Sequence, residues 1–344
     1  MVMETISADG DRVNSDAARD LAEPAAHDAR TEPFRRLQEA ALAASGVAVG
    51  SRFLDVRTPP IRVQLLEAGA GDPLLMIHGG NSVAAGWVPI LPFLASQHRL
   101  LMPDRPGCGL TTRFSYRGVD LRSHGVDLVG GLLDALGLQR AVVAGNSIGG
   151  FFAMSFALAH PERVSKLVLL GEPAGSAAPA GGGRFRFHRL VGTRGLNRVL
   201  YATVLKPPSD ATGFRARLAR SGLVADPSRV PEALLECLAA GGRLPGAVES
   251  WTTMVERAFA PAGSGVLANR MTLTHALLPD LERLTTPTLF LWGDKDPLGT
   301  PDDGLRLAER MPHARLEVVR DASHLVWLDQ PKPCADAVTA FLDE

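Results

Sequence analysis

Four short segments of this chain carry residue types that could do nucleophilic and acid–base chemistry. Gly145-Asn146-Ser147-Ile148-Gly149-Gly150 follows an apolar run at 142–144 and precedes a segment, 151–159, that is apolar on nearly every side. That pattern reads as a buried strand, a sharp turn and a buried helix, with the Ser147 hydroxyl presented at the turn. Gly145 and Gly149 are needed there because any Cβ would collide with the neighbouring strand and helix. The start of the helix leaves N–H groups unpaired, and the one on Ile148 can face an oxyanion. In a chain with 35 glycines the G-x-S-x-G spacing alone is a weak signal, and its strand-before, helix-after setting is what raises it.

The other three segments also follow apolar strands. Trp292-Gly293-Asp294-Lys295-Asp296-Pro297 offers two carboxylates, Asp321-Ala322-Ser323-His324 an imidazole, and His78-Gly79-Gly80-Asn81 flexible backbone donors. A serine hydroxyl is a poor nucleophile at neutral pH. It needs a base to take its proton and a third group to hold that base in the right tautomer. His324 is read as the base and Asp296 as its orienter.

Alternating elements position these segments. Strands are expected at 52–56 and 62–66, joined as a hairpin by Thr58-Pro59-Pro60, then at 74–77, 100–102, 141–144, 164–170, 288–292 and 316–319. Helices are expected over 31–44, with Thr31 as N-cap and Pro33 in the first turn, and near 87–95 and 119–136. Continuous apolar strands separated by helices predict an α/β fold, a mostly parallel sheet covered on both faces. Its site lies in loops at the carboxyl ends of the strands. Between 171 and 281 the rhythm changes to helical pieces with no strong strand, an insertion long enough to roof a pocket. Pro173, Gly175 and the Ala/Pro/Gly run at 177–183 form its outgoing hinge. The chain thus divides into a polar extension with a short helix (1–50), a first core part (51–175), a helical lid (176–280) and a second core part (281–344).

Composition bounds the function. The 344 residues, 46% hydrophobic and 21% charged, can bury a substantial core. Lys plus Arg is 36 against 37 for Asp plus Glu, which gives no reason to expect a nucleic-acid partner. Cys108, Cys237 and Cys334 are odd in number and show no metal spacing, as in a cytoplasmic protein with reduced thiols. The first residues lack the apolar core of a secretory signal. The uncharged stretch 141–161 is long enough to resemble a membrane span, but Asn146, Ser147 and three glycines interrupt it where the chain must turn. Neither a metal nor an organic cofactor is implied, because no ligand spacing and no phosphate-binding glycine loop is present.

On His78-Gly79-Gly80, Asp104-Arg105-Pro106-Gly107-Cys108-Gly109, the turn at Ser147, Gly293-Asp294-Lys295-Asp296 and Ser323-His324, the chain resembles the α/β-hydrolase superfamily. The resemblance covers roughly 51–175 and 281–344, with the lid inserted between. It implies that the second Asp of the G-D-x-D turn, Asp296, serves the histidine, and that the N–H groups of Ile148 and Gly80 form the oxyanion hole. Gly79, Asn81 and Asn146 are expected to line the same pocket. Glu172 is the weaker candidate for the acid, because in some relatives the acid lies there. Asp294, His78 and the Asp104-Arg105 turn are read as structural, Cys108 as a small loop residue and Trp327 as core.

The lid also carries a charge asymmetry. Between 181 and 220 stand nine basic residues, Arg184, Arg186, Arg189, Arg194, Arg198, Lys206, Arg215, Arg217 and Arg220, against Asp210 alone. A solvated face is the ordinary reading, and attraction of an anionic substrate or an acidic protein partner is the sharper one. The functional expectation is a serine hydrolase acting on a small or medium carboxylic ester. The alternative is hydrolysis of a carbon–carbon bond in a vinylogous keto acid, since the His78 and Ser147 segments are similar to those of meta-cleavage-product hydrolases. Those relatives usually carry H-G-G-G-P-G and a tryptophan after the histidine, where Asn81-Ser82 and Leu325 stand here. A non-catalytic binder is the reading of another class, opposed by the intact set of Ser147, Asp296 and His324. Epoxide hydrolase chemistry is disfavoured because those relatives place an aspartate at the turn.

Overall fold

Eight strands form one sheet: β1 (Val49–Val56), β2 (Ile61–Ala68), β3 (Asp72–Ile77), β4 (His98–Pro103), β5 (Ala141–Asn146), β6 (Val164–Leu170), β7 (Thr288–Gly293) and β8 (Ala314–Val319). They come from a computed structural model that describes residues 29–80, 82–173, 190–259 and 277–344. The spatial order is β1-β2-β4-β3-β5-β6-β7-β8. The first hairpin and the β2–β4 pair are antiparallel, and every later pair is parallel. The expected α/β architecture is therefore present.

Strand periodicity explains why both faces are covered. Leu74 and Met76 of β3, Leu100 and Met102 of β4, and Leu289 and Leu291 of β7 belong to one buried cluster, while Leu75 and Ile77, Leu101, and Phe290 and Trp292 belong to the other. Successive side chains point to opposite faces, so a strand buried on both must be apolar at every position. The second face is filled by α2 (Leu121–Ala135) and α3 (Ile148–Ala159), which meet so closely that a Cβ on Gly125 would run into Phe152. The first face takes α1 (Glu32–Ala43), the segment Ala84–Leu94 and the carboxyl-terminal helix. Trp327 stacks on Trp87 with centroids 4.3 Å apart and is core, as read.

Two local expectations are corrected. Residues 87–95 do not form one α-helix: a 3₁₀ segment, Ala84–Ile90, passes into a single α turn, Leu91–Leu94. Pro89 and Pro92 lack the N–H that a regular helix needs in its interior. Thr31 precedes α1 in helical geometry and makes no side-chain cap to it, because a 3₁₀ turn, Ala29–Thr31, leads directly into the helix.

Between β6 and β7 the described residues are helical: α4 (Leu196–Thr203), α5 (Ala211–Ser221), α6 (Glu232–Gly241) and α7 (Ala247–Ala258). They are followed, after β7, by α8 (Pro301–Ala308) and α9 (Pro331–Asp343). Helix α6 packs on α1, where a Cβ on Gly241 would meet Val83 and Phe34. The amino-terminal helix thus buttresses the inserted segment. Gly175, the run at 177–183, Arg184, Arg186, Arg189 and Asn81 lie outside the described residues. No helix among those described is long and apolar enough to cross a membrane.

Candidate active site

Ser147 occupies the one-residue link between β5 and α3, with φ 52° and ψ −122°. A side chain in that region costs about 1–3 kcal/mol, and such strain persists only where the surroundings over-determine it. The surroundings here are backbone. A Cβ on Gly145 would strike the backbone of Gly149 and Gly150, and one on Gly149 would strike the carbonyl oxygens of Ile77 and His78. Both glycines are required for the reason read from the sequence. Gly149→Ala is expected to lower stability by about 1–3 kcal/mol, since rigid carbonyls must move. Equilibrium denaturation checks this, and a variant as stable as the parent would refute it.

The acid and the imidazole come from neighbouring loops. Asp296 follows β7, His324 follows β8, and His324 Nδ1 is 2.9 Å from Asp296 Oδ2. The buried carboxylate also accepts from the Glu172 N–H at 3.0 Å and the Leu298 N–H at 2.8 Å. Burial alone would raise the Asp296 pKa, but attraction to His324 and these hydrogen bonds overcome it and leave it lowered. For His324, burial would lower the pKa, and the Asp296 carboxylate reverses the sign, with a smaller contribution from Glu172, so that it ends raised. Asp294, the competing carboxylate, instead accepts from the Ala322 N–H at 3.2 Å and braces the loop that carries His324.

The turn that carries Ser147 and the loop that carries His324 are tied together by the side chain of the residue before the serine. The Asn146 amide donates to the carbonyls of Leu170 at 2.6 Å and of His324 at 3.4 Å, so this side chain is a strut between strand ends. No hydrogen bond joins Ser147 Oγ to the imidazole among the described residues. In unliganded active sites such links are often long and tighten only when substrate binds. A second strut is Asp329, which accepts from the N–H groups of Ser323, Ala225 and Asp226 at 2.9–3.0 Å. Leu325 N–H donates to Leu223 O, and the Ser323 hydroxyl to Gly222 O. The link between α5 and α6 is thereby tied to the histidine loop.

The His78-Gly79-Gly80 loop is held from below. His78 Nε2 accepts from the Arg105 N–H at 3.0 Å, which fixes Nδ1 as the protonated nitrogen facing Gly79 O at 2.9 Å. Burial first, and the Arg105 charge second, push the His78 pKa well down, so the ring is neutral. Arg105 adds two donations, Nε to His78 O at 2.9 Å and Nη2 to Gly79 O at 2.8 Å. Asp104 accepts from the Ala84 and Leu110 N–H groups. A Cβ on Gly79 would press on Asn146 and Ser147, which brings this loop beside the serine. One on Gly80 would meet the ring of Trp251.

Trp251, on α7, was not singled out from the sequence, nor were its partner Tyr201, whose hydroxyl accepts from the indole N–H at 2.5 Å, and Asp329. The only prior signal for Trp251 is its spacing from Met254 on one face of a helix whose other face carries Glu249 and Arg257. The basic residues of the inserted segment are partly neutralised, Arg198 facing Glu249 at 3.6 Å and Arg215 facing Glu232 at 2.5 Å.

A mostly parallel eight-stranded sheet, with a serine at a strand-to-helix turn and an acid and a histidine in the next strand-end loops, defines the α/β hydrolases as a class. The chain belongs to that family: the α/β-hydrolase-fold model matches residues 72–331. It is 31% identical, over 279 residues, to a 2-hydroxy-6-oxononadienedioate/2-hydroxy-6-oxononatrienedioate hydrolase from Comamonas testosteroni, covering 76% of this chain and 85% of that one. Among solved structures it is similar to a meta-cleavage product hydrolase, with TM-score 0.65 and 24% identity, covering 85% of this chain and 97% of the other. It is also similar to the naproxen esterase of Bacillus subtilis, with TM-score 0.66 and 17% identity, covering 92% and 99%. The protein is an α/β-fold hydrolase.

Proposed function

We propose that the protein is a serine hydrolase that cleaves a small or medium carboxylic ester through an acyl-enzyme. The observation that carries this reading is the buried Asp296–His324 pair, whose histidine backbone is hydrogen-bonded to the residue preceding a strained Ser147. Ser147 Oγ attacks the ester carbonyl while His324 Nε2 takes its proton. Asp296 holds Nδ1–H and stabilises the imidazolium. The N–H groups of Ile148 and Gly80 receive the oxyanion, each worth about 3 kcal/mol at the transition state. The imidazolium returns its proton to the departing alcohol, and water, activated by the same ring, releases the acid and frees Ser147. Helices α4 to α7 serve as the lid.

The experiment is reaction of the folded protein with a fluorophosphonate. Mass spectrometry is expected to find one adduct, on Ser147, and an unlabelled Ser147 in active protein would end this reading. The chemistry also requires neutral His324, whose pKa the Asp296 carboxylate raises. The acid limb of kcat/KM is therefore expected to have its midpoint above about 6.5, the ordinary histidine value. In Asp296→Asn that limb moves to lower pH, because burial then acts unopposed. A wild-type midpoint below about 6 would contradict the assignment.

A second reading, hydrolysis of a carbon–carbon bond in a vinylogous keto acid, is favoured by the names of the relatives at about 30% identity. Leu325, in place of the tryptophan those enzymes usually carry, supports the ester reading. Parallel assays with a nitrophenyl ester and a coloured dienol-keto acid separate the two.

A further inference from the structure

Helix α4 is amphipathic with its faces reversed. Its buried residues are polar: Asn197 is fully enclosed and donates its side-chain amide to Thr252 O at 3.0 Å, and Tyr201, one turn on, accepts from the Trp251 indole. Its apolar residues look outward. Leu196 is 39% exposed and Val199 59%, and they share a face with Thr203 at the i, i+3, i+7 spacing. Val204, which ends the helix, is 78% exposed, and Leu190, which precedes it, 42%. Four of the seven large apolar side chains exposed among the described residues thus fall between 190 and 204. A scattered exposed leucine is ordinary on a protein surface, whereas a concentrated group marks a contact surface.

The same stretch carries charge of one sign. Arg194 and Lys206 are exposed at the two ends of α4. Arg198, on the helix itself, faces Glu249 at 3.6 Å, but that carboxylate also serves Arg117 at 3.4 Å and neutralises only one of the two. Asp210, at the start of α5, lies in the field of Arg243. The outward side chains are aliphatic, and the aromatic residues of this region, Tyr201 and Trp251, face each other inside. A folded protein partner is anchored chiefly by Trp, Tyr and Arg, with Leu and Val under-represented and Lys depleted. Aliphatic side chains rimmed by Arg and Lys fit instead an adaptable apolar layer under a sheet of negative charge.

We infer that the outer face of α4 docks the protein on an anionic lipid surface: Leu196, Val199 and Val204 enter the boundary of the acyl layer while Arg194, Arg198 and Lys206 meet the lipid phosphates. Docking of this kind lies on a bilayer and does not span it. The inference needs none of the chemistry proposed at Ser147, and it adds a partner to the hydrolase. Through Tyr201 and Trp251, whose ring covers Gly80, the inner side of the same helix reaches the loop beside the serine.

The test is co-sedimentation of the full chain, at low salt, with vesicles of phosphatidylcholine alone and of phosphatidylcholine mixed with phosphatidylglycerol. Partitioning is expected to be at least about tenfold stronger on the anionic vesicles, and to fall at least about fivefold in Val199→Asp and in the double variant Arg194→Glu with Arg198→Glu. Val199→Trp supplies a readout that depends on no loss of binding. Its fluorescence is expected to be quenched by anionic vesicles of brominated lipid beyond the quenching of the wild type. Equal partitioning onto the two vesicles, no partitioning, anionic binding that Val199→Asp leaves intact, or no added quenching in Val199→Trp overturns the proposal. If sedimentation velocity finds a concentration-dependent dimer that Val199→Asp dissolves, and the vesicles bind nothing, a second copy of the chain covers this face and the lipid assignment falls. Labelling of Ser147 by a fluorophosphonate is independent of all these results, so failure of the docking face and failure of the catalytic reading are told apart.

Discussion

Ser147→Ala is expected to fold normally and to lose about a million-fold in kcat, with only the oxyanion donors and substrate binding left to act. Labelling by a fluorophosphonate disappears with it. The backbone makes a companion prediction possible. At φ 52° and ψ −122° a glycine relieves the conformational cost that serine bears. Ser147→Gly is therefore expected to be equally inactive yet more stable than the parent by about 1 kcal/mol. Kinetics and urea unfolding on the same preparations check both halves. Activity within tenfold of wild type in either variant would remove Ser147 from the chemistry, and a less stable glycine variant would show that the turn is unstrained.

The second large effect concerns the acid. Asp296→Asn keeps the shape of the side chain but presents an amide to His324 Nδ1, which favours the wrong tautomer, and kcat is expected to fall about ten-thousand-fold. Asp294→Asn disturbs only the hydrogen bond to the Ala322 N–H and is expected to cost less than about tenfold. The pair is informative because the two aspartates are separated by a single lysine. Equal losses in the two variants would mean that the carboxylate of residue 296 has no special role. Glu172 enters the same comparison, since its N–H holds Asp296 Oδ2 and its side chain adds to the field at His324.

The parts of the molecule legible in the sequence are those where burial imposes a one-dimensional pattern. Parallel strands covered on both faces must be continuously apolar, so 74–77 and 288–292 announce themselves. β1 begins at Val49, three residues before the expected start at Arg52, because Gly50 and Ser51 are exposed at the sheet edge and carry no apolar signal. The segment after Gly86 reads as a helix by its apolar content, and its prolines decide otherwise. Ser147, Asp296 and His324 stand out as candidates in the sequence because each lies in the loop that follows a strand and the three come in a known order. Trp251, Tyr201 and Asp329 were not, since each acts by approaching a residue distant in the chain. Arg105 was legible only as a turn residue. Its donations to the His78 and Gly79 carbonyls are a property of the packed interior.

The carboxylate of Asp329 holds Ser323 beside the imidazole and, with the same two oxygens, the N–H groups of Ala225 and Asp226 in the inserted helices. Substrate range in this architecture is an obvious target for grafting a foreign cap between the sixth and seventh strands. Any such transplant must present two amides to that aspartate, or the chimera forfeits the alignment of His324, the proposed base, along with its old specificity.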